Sequence, residues 1–244
     1  MELSKRLQTI ANMVTKGNRV ADVGCDHGFV PIYLYRQGIS SKLYAMDVRT
    51  GPLERAREHI EAYGLSSYIE TRLSDGVSAL KAGEADTLIC AGMGGRLMGR
   101  ILTEGKDKIL SMQELILQPQ SEIAYFRSCL RSLGLMIVDE DMVKEEGKFY
   151  PIIRAVPSPS SDIRTVSGER QELEDAYGPV LLRKKHPVLR EYLEVLQQRN
   201  ENILTGLQTG NAAGRREELL CEQAGIANCL AAMKDERGHT YERY

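Results

Sequence analysis

Asp22, Gly24, Asp26 and Gly28 alternate through Asp22-Val23-Gly24-Cys25-Asp26-His27-Gly28, a run with the residue types to hold a small ligand. The glycines bend the backbone where a side chain would obstruct, and two nearby carboxylates offer negative charge to a cation. Val20–Val23 ahead of the run reads as a short buried strand, and Phe29–Leu34 behind it is apolar with helical spacing. A strand that stops at a glycine turn and feeds a helix is expected to aim several backbone N–H groups into one crevice. Cys25 and His27 lie inside the turn, and His27 is expected to pack and orient it rather than to carry protons.

Nicotinamide enzymes use a related turn, with G-x-G-x-x-G and an acid about twenty residues on. Here Asp26 stands where a glycine would admit a pyrophosphate, and it would repel a diphosphate. A cationic ligand fits better, and the sulfonium and ammonium groups of S-adenosyl-L-methionine suit two carboxylates at this turn. Lys42–Asp47 predicts a second strand ending in an acid, followed by Val48. Asp47 could accept the ribose hydroxyls of an adenosine, or cap the helix expected from Gly51-Pro52 with Leu53, Ala56, Ile60 and Tyr63 inward. Ser74-Asp75-Gly76 follow a third strand, Tyr68–Leu73, and a simple turn would explain them as well.

Asp86–Ala91 predicts a fourth strand buried on both faces, with Gly92-Met93-Gly94-Gly95 as a loop behind it. Three glycines in four positions suit a backbone that approaches a substrate closely. Leu97, Met98, Ile101 and Leu102 mark the helix that follows. A fifth strand, Leu115–Gln118, ends in Gln118-Pro119-Gln120, whose amides could meet a base edge. Ile123, Phe126, Leu130 and Leu133 predict a helix, and Leu135–Val143 and Lys148–Val156 predict a terminal hairpin turning at Glu145-Glu146-Gly147. At the start of the chain Leu3, Leu7, Ile10, Ala11 and Val14 predict a helix capped by Ser4, from which Arg6 could reach a ligand's carboxylate.

The 244 residues suffice for one large domain and an appendage, and the punctuation at Pro157-Ser158-Pro159-Ser160-Ser161 predicts units of 1–157 and 158–244. Beyond Pro187, Leu189, Leu193, Leu196, Asn200, Ile203 and Leu207 step by four and three. After a turn at Gly210–Gly214, Leu219, Gln223, Ile226, Leu230 and Met233 do the same, which predicts an antiparallel helical hairpin of coiled-coil type. Arg183, Lys184 and Lys185 form a basic cluster at its entry. The net charge of −2 gives no general attraction to nucleic acid, and residues 157–244 carry 12 Lys+Arg against 14 Asp+Glu. The five cysteines lack C-x-x-C spacing, so neither a disulfide framework nor a metal site is expected. Met1–Arg6 show no apolar signal core and no run is long enough to span a membrane, so a cytoplasmic protein is expected.

The Asp22–Gly28 motif resembles the first motif of Rossmann-like S-adenosyl-L-methionine-dependent methyltransferases. Together with Asp75-Gly76, Ala91–Gly95, Leu117–Gln120 and the Tyr177-Gly178-Pro179 lead into the appendage, it resembles the bacterial tRNA (adenine-N1) methyltransferase family TrmK, over nearly all of the chain. The resemblance implies an α/β fold with a mostly parallel Rossmann-like sheet, an antiparallel terminal hairpin and a helical coiled-coil appendage. It also implies methylation of adenine 22 in the tRNA D-arm, with tRNA as partner and no metal. Asp22, Gly24, Cys25, Asp26, His27, Gly28, Asp47, Val48, Ser74, Asp75, Gly76 and Gly92 would hold the cofactor, Asp75 at the adenine amino group. Asp26, Gly92, Met93 and Gly94 would face the reaction, while Gln118, Pro119, Gln120, Arg183, Lys184 and Lys185 would contact the RNA. The N-P-P-Y motif of many amino-group methylators is absent. Methylation of a small molecule or protein, and RNA binding without catalysis, remain open at this point, as does the oligomeric state.

Overall fold

The computed structural model describes residues 2–158, 168–206 and 213–234; Pro159–Ser161, Leu207 and Gly210–Ala212 of the expected boundary, stripe and turn lie outside the described residues. The chain divides into two compact units, Met1–Val180 and Leu181–Tyr244. The first contains seven strands in one sheet: β1 (Val20–Val23), β2 (Leu43–Asp47), β3 (Ile69–Leu73), β4 (Thr87–Gly94), β5 (Glu114–Ser121), β6 (Leu135–Glu145) and β7 (Lys148–Pro157). Their order is β3-β2-β1-β4-β5-β7-β6, with β1 to β5 parallel and β7 antiparallel to both its neighbours. The chain leaves β1 for β2 on one side and later returns to β4 on the other. The strand order therefore reverses between β1 and β4, where ligands of open α/β sheets bind.

Helices cover both faces: α1 (Lys5–Asn12), α2 (Phe29–Arg36) and α3 (Thr50–Ala62) on one, α4 (Gly95–Glu104), α5 (Lys106–Ile109) and α6 (Ile123–Ser132) on the other. Alternation along the strands separates the two cores. Val20, Leu43 and Ile89 pack with Ile10, Ile32 and Leu53, while Ala21, Tyr44 and Leu88 pack with Met98, Leu102 and Phe126. Ser4 caps α1 by accepting from Leu7 N at 3.4 Å. Glu146 and Gly147 both have positive φ, +49° and +75°, which gives the tight two-residue turn that joins β6 to β7.

Three expectations change. The glycines at 92 and 94 belong to β4, which runs on to Gly94 and pairs with β5 as far as Gly94 and Ser121 through register shifts, so this stretch is an irregular strand and not a loop. Tyr63 and Leu97 are exposed rather than core; Tyr63 sits at the C-cap of α3 with the Arg36 guanidinium over its ring. The first unit also extends past the expected boundary at 157, to Val180. Its last segment, α7 (Glu169–Tyr177) and the start of α8 (Pro179–Arg183), is tied down by α6. Arg127, fully buried, donates to the buried Glu140 carboxylate at 2.9 Å and to the Asp175 and Ala176 carbonyls, and Arg131 grips Asp175 with two bonds of 2.7 and 2.8 Å. Glu140 accepts in turn from Val180 N at 2.8 Å. Gly178, at φ +94°, has no room for a side chain, since a Cβ there would lie 2.7 Å from the Glu140 oxygens.

In the second unit α9 (Pro187–Gly206) and α10 (Ala213–Met233) pack side by side, and they run antiparallel: Arg190 near the start of α9 donates to the Met233 carbonyl at the end of α10. Leu189, Leu193, Leu196 and Asn200 of α9 are buried, as are Leu219, Ile226, Cys229 and Met233 of α10. The pairing is that of a helical hairpin, with Ile203 half exposed at its distal end.

Candidate active site

The C-terminal ends of β1, β2 and β4 open into a cavity of about 690 Å³, within the range usual for small-molecule sites. The Asp22–Phe29 segment forms its floor, Asp47–Arg49 and Ser74–Gly76 one side, and Ala91–Met93, Leu97, Arg100 and Gln120 the other, with Arg6 and Leu7 of α1 at the edge. Sequence-predicted residues from five separate strand ends thus meet at one place.

The turn after β1 takes its shape from close contacts. Gly24 lies at φ +76°, and a Cβ on it would stand 2.3 Å from Met93 Cε, so the end of β4 reaches directly onto the turn. Gly28, at φ +70°, is the N-cap of α2 and packs against Ala56, where a Cβ would be 3.2 Å away. Part of the expected cradle of backbone donors is engaged within the protein. Gly24 N and Cys25 N both donate to the Met46 carbonyl, and Gly28 N to the Cys25 carbonyl, because the turn folds back on the end of β2. Carboxylates add negative charge to this floor.

Those carboxylates differ in setting. Asp22 is buried and makes no side-chain hydrogen bond or ion pair among the described residues; burial first, and Asp47 second, push its carboxyl up to about 7. Asp47 is also buried, and it accepts from Arg49 N at 2.9 Å, which organises the bend after β2; α3 itself has no side-chain cap. Asp26 is exposed, held at positive φ, and paired with Arg55 at 3.0 Å and His27 at 3.6 Å. Asp75 is exposed and faces Arg100 at 3.3 Å. Arginines therefore attend the outer acids, while the innermost has none.

His27 stacks on Phe29 at 5.3 Å, and Phe29 on His59 at 4.9 Å, with His59 Nδ1 2.9 Å from the His27 carbonyl oxygen. The His27 ring packs within this stack, and His59 is a partner that its spacing in sequence did not reveal. Ser74 is likewise structural in its bonds: its hydroxyl donates to the Gly76 carbonyl at 2.8 Å and accepts from Ala79 N at 3.1 Å. Burial pushes the Cys25 thiol far up and the Cys90 thiol up to about 12, so neither is poised as a nucleophile.

On the far wall the sequence-predicted residues separate. Gly92 and Met93 line the cavity, Gly92 at φ +78°. Gly94 does not line it, and its small size serves packing, since a Cβ there would meet Ser121 Oγ at 3.0 Å. Gly95 is crowded in the same way by the Ser121 and Glu122 carbonyls. Gln118 is fully buried, accepts from the Arg6 guanidinium at 2.9 Å and donates to the Pro119 carbonyl, so its amide is engaged and Arg6 is anchored at the cavity edge. Pro119 is buried in β5 as well, whereas Gln120 is exposed and lines the cavity. Arg183, Lys184 and Lys185 are exposed in the second unit, Lys185 at φ +49°. Among the described residues no group of His, Cys, Asp and Glu is arranged to hold a metal ion, and no helix is long and apolar enough to cross a membrane.

A strand order with an antiparallel seventh strand, and carboxyl groups gathered at the ends of the first three, define a methyltransferase, and residues 3–153 match the family model described as a methyltransferase domain. The chain is 34% identical over 206 residues to the tRNA (adenine(22)-N(1))-methyltransferase of Bacillus subtilis, covering 81% of this chain and 82% of that protein. The crystal structure of the B. subtilis enzyme TrmK superposes with a TM-score of 0.80 at 30% identity, covering 94% of this chain and 99% of the other. Streptococcus pneumoniae Sp1610 in complex with S-adenosyl-L-methionine superposes with a TM-score of 0.83 at 31% identity, covering 94% and 100%. The chain belongs to the TrmK family of bacterial tRNA (adenine-N1) methyltransferases.

Proposed function

We infer that this protein transfers the methyl group of S-adenosyl-L-methionine to N1 of adenine 22 in the D-arm of tRNA. The observation that carries the reading is the buried Asp22 carboxyl beside Asp47, left without a cation of the protein's own in a cavity of ligand size. A buried carboxyl in that position is satisfied by a cationic ligand. Asp22 and Asp47 would hold the donor's charged and hydroxyl-bearing parts, Asp75 its adenine amino group, and the exposed Val48 an apolar ring face. When bound, the donor supplies a sulfonium methyl that the N1 lone pair takes as the carbon–sulfur bond breaks, leaving the electron pair on sulfur and the positive charge on the base.

Adenine N1 carries no proton at neutral pH, so no general base is required of the protein. Its task is alignment, which replaces a bimolecular encounter by a fixed approach. Met93 and Leu97 would give the transferring methyl group an apolar wall. Asp26 at the rim supports a base that becomes cationic. The cluster Arg183, Lys184 and Lys185 on the helical unit would bind tRNA phosphates without regard to sequence, and a cytoplasmic location fits such a substrate.

Incubating the purified protein with labelled donor and a tRNA transcript, then mapping the modified base, tests the reading. Label should appear at adenine 22 and vanish when that position is guanine. Label at another base, or transfer only in RNA-free extract, refutes it.

A further inference from the structure

Among the described residues that line the cavity, Gln120 is the one carboxamide, and neither end of its side chain has a hydrogen-bond partner. Its neighbours in the cavity differ. Ser74 is fully engaged within its turn, Arg100 faces Asp75, and the aspartates can accept but not donate when ionised. The backbone of Gln120 is fixed in place, since it lies in β5 between residues paired to β4, and its Nε2 is 3.8 Å from the Cβ position of Gly92. The side chain thus presents one donor and one acceptor beside the only stretch of wall where backbone at positive φ faces the cavity from β4.

Resting on the methyl transfer to adenine set out above, we propose that Gln120 selects the target base by pairing with its N6 and N7 edge. Methylation at N1 requires the Watson–Crick edge to face the donor, which leaves N6 and N7 as the edge with both a donor and an acceptor. A glutamine amide matches that edge with two bonds, the oxygen accepting from N6–H and the nitrogen donating to N7. Guanine places an O6 acceptor where adenine has its amino donor, so the same amide opposes it. As the N1–methyl bond forms and the methyl–sulfur bond breaks, with the bonding pair kept by sulfur, the base gains positive charge and N6–H becomes a stronger donor. The bond to the Gln120 oxygen therefore strengthens along the reaction. Gln118, two residues earlier, cannot serve, because its amide is buried against Arg6.

The test compares wild type with Gln120→Ala on two tRNAs, one with adenine and one with 7-deazaadenine at the target position, alongside calorimetric titration of the donor. Gln120→Ala should bind the donor within about twofold of wild type and lose about 10- to 100-fold in kcat/KM on the adenine tRNA. Wild type should lose about fivefold or more on 7-deazaadenine, which keeps N1 and N6 but lacks the N7 acceptor, and Gln120→Ala should not distinguish the two tRNAs. A wild type indifferent to 7-deazaadenine, or losses that simply multiply in the variant, would overturn the proposal whether or not the variant folds well. No transfer by wild type to the unmodified tRNA would instead refute the parent reading.

Discussion

Replacing Asp22 by asparagine should make the ligand-free protein more stable and the enzyme worse. In the folded state burial and Asp47 hold the Asp22 carboxyl at about 7, against 3.8 in an unfolded chain. As pH rises from 3.8 towards 7 the unfolded chain releases this proton and the native state keeps it, so stability falls across that window. At about 1.36 kcal/mol per pH unit the loss reaches on the order of 4 kcal/mol by neutral pH, and is only about 1–2 kcal/mol at pH 5. The asparagine side chain has nearly the same shape and nothing to ionise. For a chain of this size the variant should melt about 10 °C above wild type at pH 8, with a much smaller gap at pH 5. Donor affinity should move the other way. A cationic ligand selects the ionised carboxylate, so wild-type affinity should weaken up to about tenfold per pH unit below 7, while the variant binds weakly at every pH. Differential scanning fluorimetry and titration calorimetry between pH 5 and 8 supply both curves. An equal melting gap at pH 5 and pH 8, or an unchanged pH dependence of donor binding in Asp22→Asn, would refute the account of this floor.

Gly24→Ala combines a strained φ of +76° with a clash against Met93, so donor binding should fall by at least about tenfold, and adding Met93→Ala should restore part of it; calorimetry on the double variant decides, with no recovery counting against the contact. Asp26→Asn should lower kcat about 10-fold or more while leaving donor affinity nearly unchanged if this exposed acid supports the cationic base; equal losses in the two would make it a donor ligand instead. Lys184→Glu with Lys185→Glu should weaken tRNA binding and flatten its salt dependence without altering donor binding, as read by filter binding at two salt concentrations, and an unchanged tRNA affinity would retire the cluster. Arg127→Met removes the buried guanidinium that holds Glu140 and the Asp175 and Ala176 carbonyls and should cost about 3–5 kcal/mol in urea unfolding; a loss under about 1 kcal/mol would show that α7 does not depend on these bonds.

Residues whose burden is local could be read without coordinates. The positions of β1, β2 and α2 follow from apolar runs ended by Gly24, Asp47 and Gly28, and Ser4 announces α1, because each signal lies within a few residues of the feature it governs. The same holds for Asp22, Asp47 and Asp75, which arrive at one cavity because strand ends in a parallel sheet share an edge. What sequence could not supply are relations between distant segments. Nothing near Gly95 says that the carbonyls of Ser121 and Glu122 crowd it, so a glycine required by packing was indistinguishable from one required by a ligand. Gln118 and Gln120 looked equivalent until Arg6, more than a hundred residues away, engaged the first and left the second free. Arg127 did leave a trace, since it occupies a position on the apolar face of α6 between Phe126 and Leu130 where an exposed arginine does not belong. A charge on a buried face requires a partner, and here that requirement draws Glu140 and the backbone of Asp175 and Ala176 together. The first compact unit therefore reaches to Val180 and past the proline-rich punctuation, because these bonds draw the segment up to Val180 onto α6 and β6, whatever the composition of the chain before it.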